Sequence, residues 1–249
     1  MYLNFRTAFF ALLLAAPVSA RAADPSFTPA QRAEIVNIIH DAMKSDPSIL
    51  RDAIKALQAD EDARENAEAQ AAIAQHHDEL FNNPGDAQAG NPHGDVTVVE
   101  FYDPRCPYCR KMLPGIGAML EKDHSVRLVY KDIPVLGAGS TLESRAIVAA
   151  QQQGGYMKMQ QALMSNPAQA SDDLIRDTAK SIGLDPAKLA LAMKSDAVTK
   201  RIEANLDLSH ALKVSGTPTF VVGTQIIPGM VDASQLEKAV ADARKHAEK

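Results

Sequence analysis

Cys106 and Cys109 are the two cysteines of the chain, held in the stretch "FYDPRCPYCRK" at 101–111 with Pro107 and Tyr108 between them. Thiols at this spacing can serve as a staple, a metal clip or a reversible electron carrier. As a staple the pair closes a loop of about four residues, worth roughly 2 kcal/mol in the chain-entropy picture against about 4.7 for a hundred-residue loop. That is a poor place for a single bridge. Redox chemistry fits the context better. Cys106 follows a β-branched run and stands where a helix from about Pro107 to Lys122 begins. There, unpaired backbone N–H groups and the positive end of the helix dipole stabilise a thiolate. Arg105, Arg110 and Lys111 either add positive potential or are ordinary solvated charges. Cys109 lies on the same helix face. Position therefore assigns Cys106 as the exposed attacking thiol and Cys109 as the buried resolving one.

Two other positions stand out. Glu100 interrupts an otherwise apolar strand, six positions before Cys106. Buried there, it would hold its proton to higher pH and pass protons to and from Cys109; facing outward, it is a strand-end carboxylate. Pro218 sits after Thr217 inside a segment that otherwise reads as strand, which demands a reason. A cis peptide bond beside the cysteines would turn the Thr217 backbone toward an incoming chain.

The elements that must position these residues alternate. "DVTVVEFY" (95–102) and "VRLVYKDIP" (126–134) read as strands which, with the helix between them, make a parallel βαβ unit with a right-handed crossover. Residues 140–212 read as helices. Ser140 with Glu143 forms a capping box there, Ser171 and Asp185–Pro186 start further helices, and Gly183 ends one. "TPTFVVG" (217–223) and "TQIIPG" (224–229) read as short strands turning at Gly223–Thr224, and Ser234 with Glu237 caps a final helix.

Ahead of this pattern, residues 24–90 read as helix. "TPAQ" (28–31) is a capping-box start, followed by Ile35, Ile38, Ile39 and Met43 at helical spacing. "SDPS" (45–48) restarts a helix with a stripe of Leu50, Ala53, Ile54 and Leu57. Neither stripe has a domain of its own to cover it, so it must dock on the main domain or on copies of itself. The acidic stretch from Gln58 to Leu80 reads as a solvated helix or linker, and "NNPGDAQAGNPHG" (82–94) as a loop.

Arg6, the apolar run "AFFALLLAA" (8–16) and "PVSA" (17–20) form a secretory signal over 1–22. Its run is too short to span a bilayer as a helix, and no later apolar stretch is long enough. The expected compartment is oxidising and favours disulfides. A formal charge of −5 and a pI near 5.8 argue against a nucleic-acid partner, as does the absence of Trp.

"FYDPRCPYCRKMLP", "KDIPVLG" and "GTPTFVVG" together resemble the DsbA-like branch of the thioredoxin superfamily, over about residues 91–249. The resemblance implies an α/β thioredoxin fold with a helical insertion at about 140–212, preceded by a helical extension over 23–90. It also implies that Cys106 and Cys109 carry the redox disulfide, that Glu100 matches the family's buried acid and that Pro218 matches its cis-proline. The Pro107–Tyr108 pair departs from the Pro-His of the most oxidising members; CPYC with Thr217 before the cis-proline is similar to isomerase and reductase members. The helical extension is similar to that of suppressor-of-copper-sensitivity C (ScsC) proteins, whose longer members trimerise through it.

The leading expectation is a periplasmic disulfide isomerase acting on disulfide-containing proteins. It would be a homo-oligomer, a trimer, through residues 24–82, with its pair reset by a membrane redox partner. A dithiol oxidase would use the same residues. A Cu(I)-binding protein is the alternative of another class, because the thiolates of Cys106 and Cys109 suit Cu(I) and Met112 lies three residues further on. Met112 also reads as a core filler and His76–His77 as an exposed pair. No cofactor is expected.

Overall fold

The computed structural model describes residues 27–247. The signal sequence expected over 1–22 lies outside them. The chain forms two compact units, one ending at Gln58 and the other starting at Ala59.

In the first unit, helix α1 (Pro29–Ser45) opens on the predicted capping box. Thr28 Oγ1 accepts from Gln31 N at 3.3 Å, and Gln31 Oε1 accepts from Thr28 N at 2.9 Å. Helix α2 (Ser48–Gln75) begins in this unit, with Asp46 Oδ1 accepting from Ser48 N at 3.0 Å, and its residues from Ala59 onward belong to the second. Helix α1 buries no residue. Val36 is 63 % exposed and Leu57 59 %, and Ile38, Ile39, Leu50 and Ile54 are also exposed. Apolar surface gathered in this way marks an interaction face more often than a solvated one.

The second unit is built on a five-stranded sheet. Its strands are β1 (Ala87–Gly90), β2 (Val96–Tyr102), β3 (Val126–Asp132), β4 (Thr219–Val222) and β5 (Gln225–Pro228), in the order β1-β3-β2-β4-β5. Strands β2 and β3 run parallel, joined by α3 (Pro107–Lys122); the other pairs are antiparallel. Helices α4 (Ala138–Ala150), α5 (Tyr156–Ser165), α6 (Asp172–Ser181), α7 (Pro186–Met193) and α8 (Asp196–Ala211) stand between β3 and β4, and α9 (Ala233–Ala247) closes the described chain. This is the thioredoxin fold with a helical insertion. Gly223 takes φ +59° in the two-residue turn between β4 and β5, a conformation few side chains tolerate.

Strand alternation sorts the core into two layers. Val98, Tyr102, Leu128, Tyr130 and Phe220 pack beneath α3 with Cys109, Met112 and Ile116. Val99, Phe101, Val129 and Val221 pack on the other face against Ile73, Leu80, Phe81 and Leu208.

Four local expectations are corrected. Strand β1 lies inside the stretch read as a loop over 82–94, because its small residues carry no strand signal and gain their state by pairing with β3. Helix α4 starts two residues before Ser140, after Gly137, and Ser140 and Glu143 are buried rather than capping. Helix α9 starts at Ala233, with Asp232 N donating to Gln235 Oε1 at 2.9 Å, while Glu237 pairs with Lys122. Finally, the end of the supposed solvated stretch is anchored. Ile73 and Leu80 are buried, and a π-helical turn at Asp78–Asn82 leads to Asp86. The Asp86 carboxylate meets Lys131 Nζ at 2.6 Å and Arg201 Nη1 at 2.8 Å. Lys131 also donates to the Glu79 carbonyl at 2.5 Å.

Candidate active site

Cys106 is the N-cap of α3, with extended backbone angles, and Pro107 supplies the first helical residue, where a missing N–H costs nothing. The Cys106 amide donates to Asp103 O at 3.0 Å, and its carbonyl accepts from Arg110 N at 3.1 Å. Its thiol donates to the Thr217 carbonyl at 3.2 Å, across 111 residues of sequence. The Thr217–Pro218 peptide is cis. Cys106 is only 4 % exposed, which corrects the expectation of an exposed thiol: the loop carrying Thr217 lies over the sulfur. Cys109 is fully buried. Burial first, and the charge of Glu100 second, push its thiol pKa well above the ordinary range. Both thiols are free.

Pro107 and Tyr108 are the exposed members of the motif, Tyr108 at 53 %, with Lys111 Nζ 5.8 Å from its ring centroid. Tyr108, Gly216, Thr217, Gly229 and Met230 line a hollow of about 510 Å³. Met230 is exposed there, as are Val135 and Leu136 on the loop after β3. That loop is tied to the CxxC turn by Asp103, whose Oδ2 accepts from Val135 N at 2.8 Å and Leu136 N at 3.0 Å. Its Oδ1 accepts from Arg105 N at 2.7 Å.

Glu100 is buried rather than outward-facing. It lies beside Tyr130 of β3 and Phe220 of β4, on the sheet face that α3 covers. Burial, and then the charge of Asp132, raise its pKa to about 8. Asp132 is a second buried acid that sequence reasoning missed. In register with Tyr102, it accepts from Tyr102 Oη and Tyr156 Oη, each at 2.7 Å, and the two hydroxyls lie 2.8 Å apart. Burial pushes the Asp132 carboxyl up to about 6, against the pull of both hydroxyls. An acid in an apolar strand was the signal that found Glu100, and it applied equally to "LVYKDIP".

The arginines around the motif are not solvated charges. Arg105 Nη1 donates to Glu143 Oε1 at 3.0 Å and to Ala168 O at 2.7 Å. Arg110 donates through Nε to Pro104 O at 2.8 Å and through Nη1 to Asn166 O at 2.9 Å, with Nη2 3.5 Å from Glu143 Oε2. Lys111 is exposed. Met112 packs in the core, and His76 and His77 turn to Glu79 and Asp78 at 2.7 and 3.4 Å. Among the described residues no group of three or more His, Cys, Asp or Glu side chains is arranged to hold a metal ion.

The DsbA-like thioredoxin domain matches residues 97–241. The chain belongs to that family. Its DsbA-like fold superposes on a thioredoxin-like oxidoreductase from Silicibacter pomeroyi at 43 % identity and a TM-score of 0.66, over 68 % of this chain and 97 % of that one. ScsC of Proteus mirabilis, in a transitional conformation, matches over 89 % of this chain and 98 % of its own, at 30 % identity and a TM-score of 0.65. Disulfide bond formation protein D of Bacillus subtilis is 23 % identical over 168 residues, which are 63 % of this chain and 76 % of that protein. The chain also spans 24 % of the length of Na(+)/H(+) antiporters from two Salinispora species. No described helix is long and apolar enough to cross a membrane. Family and motif together place the Cys106–Cys109 pair in a DsbA-like thioredoxin domain similar to that of ScsC and of disulfide bond formation protein D.

Proposed function

We propose that the protein is an exported, periplasmic disulfide isomerase that acts on wrongly bridged proteins as a homo-oligomer, a trimer joined through its N-terminal helices. The observation that carries this reading is the uncovered apolar surface of α1 and the first part of α2.

Cys106 is the attacking thiol. Its thiolate attacks one sulfur of a substrate disulfide, forming a mixed disulfide and releasing the other sulfur as a substrate thiolate. A second substrate thiolate then attacks the mixed bond and leaves with a new pairing, so no electrons are gained or lost. The competing exit is attack by Cys109 on Cys106, which frees the substrate reduced and leaves a protein disulfide for a membrane redox partner to reset. Cys109 must lose its proton first. Burial holds that proton tightly, which slows the exit and gives the mixed disulfide time to rearrange. Glu100, with its pKa near 8, is the group that takes and returns the proton. The Thr217 backbone before Pro218 receives the substrate chain, and Tyr108 with the hollow beside it meets apolar side chains of an unfolded client.

Full-length Ile39→Lys/Leu50→Lys protein tests the reading. Light scattering should find a trimer for the native chain and a monomer for the variant. The variant should lose recovery of a scrambled disulfide protein while still reducing a simple disulfide peptide. A monomeric native protein, or a monomeric variant with full isomerase activity, overturns it; efficient oxidation of reduced clients by that monomer would point to a dithiol oxidase.

A further inference from the structure

Glu143 stands outside every role described so far. It lies in α4, in the helical insertion, and is fully buried. A buried carboxylate without partners is costly, and this one is answered from the CxxC turn. Oε1 accepts from Arg105, the residue before Cys106, at 3.0 Å. Oε2 has no hydrogen-bond partner and lies 3.5 Å from Arg110, whose amide sits on the Cys106 carbonyl. The other charged groups near the turn are Asp103, held by backbone amides, Lys111, out over Tyr108, and the buried Glu100, whose charge acts on Cys109.

We propose that Glu143 is a positioning residue that sets the redox poise of the Cys106–Cys109 pair, by holding against a buried counter-charge the guanidinium groups of Arg105 and Arg110, the two arginines that flank Cys106 in the CxxC turn. The proposal rests on the redox reading of that pair. Positive charge beside the attacking sulfur stabilises its thiolate, and a stabilised thiolate makes the disulfide form more oxidising. Two guanidiniums would push the pair strongly that way. With Glu143 between them, only one net charge remains, and the protein keeps a milder poise suited to working in the thiol form. The same contacts keep the turn in place through the carbonyls of Pro104, Asn166 and Ala168.

The experiment is equilibration of the full-length protein with glutathione: protein disulfide and two glutathione thiols exchange for protein dithiol and glutathione disulfide. One S–S bond breaks in the protein and one forms between glutathiones, with two electrons and two protons transferred. Glu143→Gln keeps the shape and one acceptor but removes the charge. It should shift the equilibrium about tenfold toward the dithiol, which is about 30 mV more oxidising. Glu143→Asp, which restores the charge, should return most of that shift. Arg105→Gln should move the equilibrium the opposite way, and it carries the test if Glu143→Gln does not fold. A folded Glu143→Gln protein within twofold of native overturns the proposal, as does an Arg105→Gln shift of the same sign. If the native protein forms no Cys106–Cys109 disulfide in glutathione, the redox reading itself fails and this proposal with it.

Discussion

Replacing Glu100 with Gln should stabilise the protein, by an amount that depends on pH in a defined way. In the folded chain burial and the charge of Asp132 raise the carboxyl from an ordinary 4.5 to about 8. Between those values the folded protein holds a proton that the unfolded chain has released. Fewer protons bound in the unfolded state means that stability falls as pH rises, by about 1.4 kcal/mol per pH unit. The stabilisation from the buried, protonated acid is complete below the unfolded value and is lost as pH climbs through about 8. The total is about 5 kcal/mol, and about 3 kcal/mol of it is already gone at neutral pH. Glu100→Gln is neutral at every pH and escapes the loss. Urea unfolding of native and variant proteins in excess reductant, at steps from pH 4 to 9, gives the difference directly. Asp132 is present in both and largely cancels. The stability gap should open from about pH 4.5, widen steadily and flatten above about 8. A gap that stays flat across the series would refute the reasoning, because an acid that ionises normally in the folded state cannot produce the slope.

Lys131→Met leaves Asp86 buried with Arg201 as its remaining cation, and should cost about 3–5 kcal/mol by urea unfolding. The double variant with Asp86→Asn should cost less than the single one, since no buried charge is then stranded. Tyr156→Phe removes one of the two hydroxyls on Asp132 and should cost about 1–3 kcal/mol by thermal melting. The Asp132 carboxyl, already near 6, should then rise further, visible in a carboxyl-resolved NMR titration. Cys109→Ala should accumulate a mixed disulfide between Cys106 and a substrate peptide, detectable by mass spectrometry, whereas Cys106→Ala should yield none.

The legible parts of this molecule were those written in local spacing. The β-branched, near-continuous apolar runs "VTVVEFY" and "VRLVY" and the helical run after Pro107 specify the βαβ unit, because each element's burial is written in its own residues. Glu100 was legible for a related reason: one acid in an apolar strand is conspicuous. Glu143 was not, because its partner Arg105 lies 38 residues away and its i, i+3 relation to Ser140 imitates a capping box. Strand β1 was hidden by its composition, since Ala-Gln-Ala-Gly becomes a strand only where β3 offers it an edge. The shielding of Cys106 was not legible either, because the Thr217 backbone was expected to face an incoming chain, whereas its carbonyl accepts from the Cys106 thiol.

The buried contact between Lys131 and Asp86 bears on how this catalyst can be moved between polypeptides. A graft cut just before the CxxC strand, at residue 91, keeps every reacting group but discards β1, Asp86 and the Leu80–Phe81 packing. It would leave Lys131 as a stranded cation inside the sheet and would fail as a folding unit before its chemistry was ever tried. A transplantable module has to carry its leader from ahead of Ile73, so the fusion joint belongs in the exposed part of α2.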